Sequence, residues 1–328
     1  MRDFYLREGN YLRDMESVVL PYLEERRCES DFSGYDGKPI HYVAYLADEP
    51  RASVIVSHGF TESAEKYHEL SYYLLKEGYN VFLLEHRGHG RSFRAVSDST
   101  LTHIDCFSEY TRDFLAFSRR VREVAKEDVY LFAHSMGGAI GTLVMEEDPT
   151  LFRAAVLSSP MVMPKSGHVP AAFGRVLTWF FCLFGKGKKR AFISGEYPGY
   201  EEFEDSCKTS KERFAEYEEI REKTPLFQNY GPSYRWVYES LKVKRKILRR
   251  GAPESIKTRT LMFLAGEDTM VREDAARALA ARIPGCKVIL CKKAKHEIFG
   301  SEDATALPYF EEILDFYDHA SRTEPKPC

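Results

Sequence analysis

The chain has 328 residues, of which 44% are hydrophobic and 30% carry charged side chains, and its net charge is −3. This length suits one large hydrophobic core with an inserted subdomain, and the composition is that of an ordinary globular protein. A nearly balanced charge gives no argument for nucleic-acid binding. Seven scattered cysteines show neither a disulfide framework nor a metal-ligand spacing, which favours a reducing compartment. The N-terminus lacks the apolar core of a secretory signal, so we expect a cytoplasmic protein.

In chain order, the predicted elements begin with a charged helical extension over residues 1–27, followed by a pair of antiparallel strands with glycines in the turn. Short continuous apolar runs then alternate with helical stretches. Strands that are apolar throughout are covered on both faces, which indicates a mostly parallel sheet flanked by helices. Residues 321–328 are expected to form a disordered tail. The predicted strands are Cys28–Ser33, Ile40–Leu46, Val54–Val56, Val81–Leu84, Val129–Phe132, Ala155–Leu157, Leu261–Leu264 and Val288–Leu290.

The regular alternation lapses between Pro160 and about Pro253. A segment of this length is too long for a simple connection in a compact domain. We therefore predict a helical cap over residues 161–253, inserted into a core that comprises residues 28–160 and 254–320.

Within the cap, the helix predicted over Ala171–Phe184 is nearly apolar all round, apart from a polar stripe of Arg175, Thr178 and Cys182. It is too short to span a membrane, and a basic cluster follows it. Such a helix suits a surface resting on anionic lipid or the lining of an acyl-chain pocket, and packing onto the core is an equal alternative. The candidate substrate-contacting residues are Phe173, Leu177, Trp179, Phe180, Phe181 and Phe184.

The segment Leu131–Gly138 predicts a nucleophilic serine on a sharp turn between a strand and a helix. Such a turn strains the serine backbone and demands small neighbours, as in the pattern G-x-S-x-G. Ser135 and Gly137 fit this pattern, and Ala133 replaces the first glycine with the next smallest residue. An N-capping serine at a glycine-rich helix start is the alternative interpretation.

A serine hydroxyl needs a general base, and the base needs a group that fixes its tautomer. Downstream, Glu267 and Asp268 follow a buried strand, and His296 lies on a loop just past the next strand. The order Ser, Asp, His is the one found in this fold class, and spacing favours Asp268 over Glu267 as the acid. Upstream, the loop that begins at His58 can supply the N–H of Phe60 to an oxyanion hole, while the N–H of Met136 supplies the other donor.

Several segments together are typical of one known family. They are His58–Tyr67, Glu85–Ser92, His103–Tyr110, the serine turn, Gly231–Ser240, Gly266–Val271 and Lys295–Ile298. These segments resemble the α/β-hydrolases of the bacterial lysophospholipase and monoacylglycerol lipase family, the serine aminopeptidase S33-like group. The resemblance covers roughly residues 30–318, with Ala133 and Glu85 as departures, since the family more often has glycine and aspartate there.

The resemblance implies an α/β-hydrolase fold and an ester hydrolase that forms an acyl-enzyme on Ser135, with no metal or organic cofactor. It also implies a single-chain acyl glycerolipid as substrate, with lysophospholipid ahead of monoacylglycerol. The aromatic cap helix with its basic end allows peripheral contact with the inner membrane. The alternatives of the same mechanism are an acyltransferase, a short-chain esterase or a peptidase. A catalytically silent binding or scaffold module is a further alternative, against which the intact Ser135, Asp268 and His296 argue.

Overall fold

The computed structural model describes residues 2–165 and 169–322. Eight strands form one sheet in the order β1-β2-β4-β3-β6-β7-β9-β10, and β5 and β8 form a separate pair. The first two contacts of the large sheet, β1 with β2 and β2 with β4, are antiparallel, and all the others are parallel. The strands are β1 (Arg27–Ser33), β2 (Pro39–Tyr45), β3 (Ala52–Ser57), β4 (Tyr79–Leu84), β5 (Leu101–Thr102), β6 (Val129–His134), β7 (Ala154–Ser158), β8 (Gly231–Pro232), β9 (Arg259–Ala265) and β10 (Lys287–Cys291).

Helices cover both faces of this sheet, because parallel strands need crossover connections. The predicted α/β-hydrolase architecture, a mostly parallel sheet flanked by helices, is confirmed. The helices are α1 (Tyr11–Asp14), α2 (Leu20–Glu24), α3 (His68–Lys76), α4 (Ser108–Val124), α5 (Met136–Glu147), α6 (Ala171–Leu183), α7 (Lys211–Lys223), α8 (Tyr234–Ile247), α9 (Glu273–Ala280) and α10 (Asp303–Arg322). A π-helical turn, Met15–Val19, joins α1 to α2, and short 3₁₀ turns precede α1 and α3 and lie at Phe203–Asp205, Pro225–Phe227, Pro253–Ser255 and Ile298–Gly300.

Two hydrophobic clusters sandwich the sheet. One contains the N-terminal helical segment, α3 and α10, and the other contains α4, α5 and α9. The N-terminal segment joins the core through Tyr11, Met15, Val19 and Leu23, which recur every four residues and are all buried. That spacing places the four side chains on one face of the helical segment.

Two predictions about the periphery of the fold are wrong. Strand β10 is at the edge of the sheet and is not covered on both faces, since Val288 and Leu290 are exposed. An apolar run therefore does not by itself guarantee a central strand. Residues 321 and 322 belong to the last turn of α10, so the chain is still helical where the disordered tail was predicted to begin. The rest of that predicted tail lies outside the described residues.

Between β7 and β9 the chain forms α6, α7 and α8. The strand β8 in this segment pairs with β5, which follows β4, and so ties the segment to the core. Across residues 2–165 and 169–322, no helix is both long enough and apolar enough to cross a membrane.

Candidate active site

Ser135 stands between β6 and α5 with a backbone conformation of φ 51° and ψ −116°. This left-handed region is costly for a residue other than glycine and persists only where the surroundings enforce it. The close approach of the helix to β3 supplies that constraint, because a Cβ on Gly137 would lie 2.0 Å from the carbonyl oxygen of Ser57. Ala133 is accommodated because Gly141 faces it, where an added Cβ would be 3.3 Å from the Ala133 methyl.

His296 joins Ser135 to Asp268 through two hydrogen bonds. The Nε2 atom of His296 lies 2.8 Å from Ser135 Oγ, and its Nδ1 atom lies 2.7 Å from Asp268 Oδ2. An ionised carboxylate can only accept, so Nδ1 carries the proton and Nε2 is free to accept the serine hydroxyl. The three predicted side chains, which come from the ends of three strands, are therefore aligned for proton transfer from serine to histidine.

The carboxylate of Asp268 is held on both oxygens. Its Oδ1 accepts the backbone N–H groups of Met270 at 2.7 Å and Val271 at 2.9 Å. Burial opposes its ionisation, but the hydrogen bond and charge of His296, with these two N–H donors, hold the pKa of Asp268 below its usual value. Glu267 is exposed, and its backbone N–H donates to Ala294. The structure thus brings Asp268, and not Glu267, to the histidine.

The N–H groups of Phe60 and Met136 are the predicted donors of the oxyanion hole. Within the part of the chain that the structure describes, neither donates a hydrogen bond to another protein group. Met136 begins α5, so its N–H also lies at the positive end of the helix dipole. The loop at Phe60 turns sharply at Thr61, which has φ 63°, and the Phe60 ring packs 4.1 Å from that of Trp236 on α8.

Glu62 connects the loops that carry these groups. Its carboxylate accepts the N–H of Gly59 at 2.6 Å, the hydroxyl of Tyr67 at 2.5 Å and the ammonium of Lys66 at 3.1 Å. Lys66 in turn donates to Glu297 at 2.6 Å. We call Glu62, Lys66 and Glu297 the Glu62 network. It reaches the neighbours of Phe60 and His296, and Glu62 Oε1 also lies 3.5 Å from Nε2 of His134, the neighbour of Ser135.

Behind the Phe60 loop lie three buried histidines, His58, His86 and His89. His58 Nε2 accepts the N–H of His86 at 2.8 Å, so its Nδ1 donates to the carbonyl of Gly59 at 2.7 Å. Burial lowers the pKa of His58 to about 4 and those of His86 and His89 well below their usual value. All three are therefore neutral at pH 7 and serve the loop as packing and hydrogen-bonding groups.

A cavity of about 220 Å³ opens beside Ser135 and His296. None of the six aromatic and aliphatic cap residues predicted to contact substrate lines it. Its lining combines apolar side chains, among them Phe60, Phe214 and Met270, with several charged ones that were not predicted as a set from the sequence. Among the described residues, no group of three or more His, Cys, Asp or Glu side chains could hold a metal ion.

The six predicted cap residues lie on or near the outer face of α6. Phe173, Trp179, Phe180 and Phe184 are between 47% and 62% exposed, and Leu177 and Phe181 are partly buried. The polar stripe faces inward, since Thr178 is buried and its hydroxyl donates to the carbonyl of Gly174. The helix packs on α8, where the Phe181 ring stacks 4.3 Å from that of Tyr234. Its apolar face therefore points to solvent and does not line the cavity at Ser135.

Comparisons with known proteins agree with this fold. The family model described as serine aminopeptidase, S33, matches residues 48–303. The chain is 29% identical over 302 residues to lysophospholipase L2 of Escherichia coli K12, covering 89% of this chain and 88% of that protein. It is 33% identical to the monoacylglycerol lipase of Mycolicibacterium smegmatis over 150 residues, covering 44% of this chain and 50% of that protein.

Two solved structures share the fold. A soluble variant of monoglyceride lipase from Saccharomyces cerevisiae superposes with a TM-score of 0.68 at 17% identity, covering 90% of this chain and 96% of that one. A thermostable carboxyl esterase from Bacillus coagulans gives 0.73 at 17% identity, covering 90% and 99% of the two chains. The chain therefore belongs to the serine aminopeptidase S33 family of α/β-hydrolases, and it is a carboxylic ester hydrolase.

Proposed function

We propose that the protein hydrolyses the single ester of a lysophospholipid through Ser135, Asp268 and His296. The observation that carries the proposal is the hydrogen-bonded chain from Ser135 to Asp268, on a strained turn beside two available N–H donors. The relatives named lysophospholipase L2 align over nearly the whole chain, whereas the monoacylglycerol lipase match covers less than half of it. This difference favours lysophospholipid over monoacylglycerol.

In this mechanism Ser135 Oγ attacks the ester carbonyl while His296 Nε2 takes its proton. Asp268 holds the imidazole in the reactive tautomer and stabilises the imidazolium that forms. The N–H groups of Phe60 and Met136 bind the oxyanion of the tetrahedral intermediate. His296 then protonates the leaving alcohol, and the acyl group remains on Ser135. Water deprotonated by His296 attacks this acyl-enzyme and releases the fatty acid.

The outer face of α6 is proposed to rest on an anionic lipid surface at the inner face of the membrane. Exposed contiguous apolar side chains of this kind mark interaction sites, and an adjoining basic cluster adds attraction to anionic lipid. Lys186, Lys188 and Lys189 are exposed directly after α6, whereas Arg190 is paired with Asp98 at 2.8 Å. Phe192 and Ile193, both more than half exposed, extend the apolar face.

A panel of substrates tests the activity. We expect long-chain lysophosphatidylethanolamine and lysophosphatidylcholine to be hydrolysed with a higher kcat/KM than the matching monoacylglycerol or p-nitrophenyl butyrate. Each acyl methylene that is buried adds about 0.8 kcal/mol of binding, so longer chains should be preferred. A preference for acetate or butyrate esters over long chains would overturn the lipid assignment.

Variants of α6 test the membrane contact. Trp179→Ser with Phe180→Ser should raise the KM for vesicle-borne lysolipid and leave p-nitrophenyl butyrate hydrolysis unchanged, with Val124→Ser, also exposed, as the matched control. Changing Lys186, Lys188 and Lys189 to Gln should reduce sedimentation with phosphatidylglycerol vesicles but not with phosphatidylcholine vesicles. Equal losses on both substrates, with a lower Tm, would indicate that α6 serves only for packing.

A further inference from the structure

The cavity beside Ser135 has several charged side chains in its walls, next to apolar ones such as Phe60, Phe214 and Met270. Three cations and four carboxylates line it, in addition to Ser135 and His296. An acyl chain packed against these charges would remove water from them without offering a hydrogen bond, which costs free energy. The charged part of the cavity therefore fits the polar part of an ester substrate. The charged residues are Lys66, Lys208, Arg221, Glu62, Glu201, Glu218 and Glu297.

Two of the three cations already have their counter-charges. Lys66 lies between Glu62 and Glu297 in the Glu62 network, and Arg221 pairs with Glu201 at 2.7 Å and Glu218 at 3.2 Å. Both side chains are almost completely buried. Neither cation is in need of a ligand.

Lys208 differs from these two. Its ammonium donates to the carbonyl of Arg213 at 2.7 Å and lies 5.6 Å from the centre of the Tyr217 ring. The one carboxylate that forms an ion pair with it among the described residues, Glu297, is 4.0 Å away. An ammonium group has three N–H donors. Lys208 lines both the larger cavity and a second one of about 20 Å³, which has room for about one water. The Arg213 carbonyl therefore does not use all of the donors of Lys208. Burial lowers the pKa of Lys208 below its usual value, as expected for a cation with incomplete compensation.

Lys208 is placed next to the reacting centre. It follows Cys207, whose carbonyl accepts the N–H of Glu297 at 3.1 Å, and Glu297 follows His296. Lys208 also lines the same cavity as Ser135 and His296, so a group bound by Lys208 would share that cavity with the reacting ester. Glu201 also lines the cavity, but its side chain is 33% exposed, which places it at the entrance.

We propose that this cavity binds a zwitterionic headgroup, with Lys208 contacting the phosphate and Glu201 facing the ammonium at the entrance. The inference rests on the proposed function, since it assigns a site to the alcohol part of a lysophospholipid. With four carboxylates against three cations, the walls disfavour a headgroup that carries only negative charge. A zwitterion matches both signs, and a bare glycerol matches neither.

Soluble headgroups test this proposal as competitive inhibitors of p-nitrophenyl butyrate hydrolysis. We expect sn-glycero-3-phosphoethanolamine to have an inhibition constant at least about tenfold below those of glycerol 3-phosphate and glycerol, because only it pairs with both charges. Lys208→Met should raise that constant about tenfold or more, while Lys211→Met, an exposed neighbour at the start of α7, should not. Glu201→Gln should remove the preference over glycerol 3-phosphate.

Equal inhibition by the three compounds, or an unchanged inhibition constant in Lys208→Met, would overturn the proposal. If Lys208→Met proves unfolded in a thermal melt, two results still test the headgroup site. They are the ranking of the three inhibition constants in the wild-type protein and the effect of Glu201→Gln on that ranking. The reporter ester and the inhibitors are not lipids. Failure of the enzyme to hydrolyse lysophospholipid would therefore refute the proposed function separately, and hydrolysis without headgroup selectivity would refute only the subsite.

Discussion

Replacing Asp268 with asparagine is expected to disable the enzyme through the tautomer of His296. The Oδ1 atom of Asp268 accepts two backbone N–H groups, so the amide oxygen of an asparagine must keep that position. The amide NH₂ would then face Nδ1 of His296 in place of Oδ2, which now lies 2.7 Å away. Nδ1 would have to accept, leaving the proton on Nε2, where it blocks transfer from Ser135.

The expected loss in kcat is about 10⁴-fold, the scale found when a triad histidine is held in the wrong tautomer. Glu267→Gln is the matched control, because Glu267 is adjacent in sequence but exposed. A surface change of this kind alters stability by about 0.5 kcal/mol or less, so its kcat should stay within about twofold. Both variants are assayed with p-nitrophenyl butyrate, and a thermal melt checks that each is folded. Severe impairment of Glu267→Gln with an active Asp268→Asn would assign the acid to Glu267 and refute the reasoning.

Three further changes test the surroundings of the site. Glu62→Gln should lower kcat and slow fluorophosphonate labelling by about tenfold or more, with little change in KM. The reason is that the substitution weakens a buried ionic contact that positions both catalytic loops. Equal effects on kcat and KM would argue against a positioning role. Burial lowers the pKa of His134 to about 4, so the unfolded chain binds a proton between about pH 6.5 and 4 that the folded chain does not. The free energy of unfolding should therefore decrease as the pH falls through that window. Between pH 7.5 and 5, His134→Gln should lose about 2 kcal/mol less of this free energy than the wild type, as measured by urea unfolding. Gly137→Ala should abolish activity, since its Cβ would clash with the Ser57 carbonyl, whereas Ala133→Gly should be tolerated; an active Gly137→Ala enzyme would contradict the described turn.

The sheet and the three central side chains could be predicted because their signals are local. An apolar run marks each strand, and Ser135, Asp268 and His296 each follow such a run closely, so the topology brings them to one edge of the sheet. The sequence favours Asp268 over Glu267 by spacing alone, because it does not show in which direction two adjacent carboxylates point. In the structure, the backbone N–H groups of Met270 and Val271 orient the carboxylate of Asp268.

The charged lining of the cavity could not be predicted in this way. Lys66 and Glu297 are 231 residues apart, and neither carries a spacing that points to the other. Their contact depends on how the Phe60 loop and the His296 loop meet above the sheet. The only available signal was that Glu62, Lys66 and Glu297 lie within the segments that carry the family resemblance.

Helix α6 shows a different limit. Its polar stripe is evident in the sequence, but the pattern does not show which face of the helix is buried. In a globular protein the apolar face of a surface helix normally faces the core. Here the hydroxyl of Thr178 donates to the carbonyls of Gly174 and Arg175 within the helix, so the polar stripe can pack against α8. The aromatic face is consequently left in contact with solvent.

The most direct test of the central claim is the activity of Ser135→Ala. The variant retains the fold in this account, so a thermal melt should match the wild type, while kcat on lysophospholipid and on p-nitrophenyl butyrate should fall by about 10⁴-fold or more. A fluorophosphonate probe should label the wild-type protein on Ser135 and leave the variant unlabelled. Near wild-type hydrolysis by folded Ser135→Ala, in protein free of contaminating esterase, would contradict the assignment of Ser135 as the nucleophile.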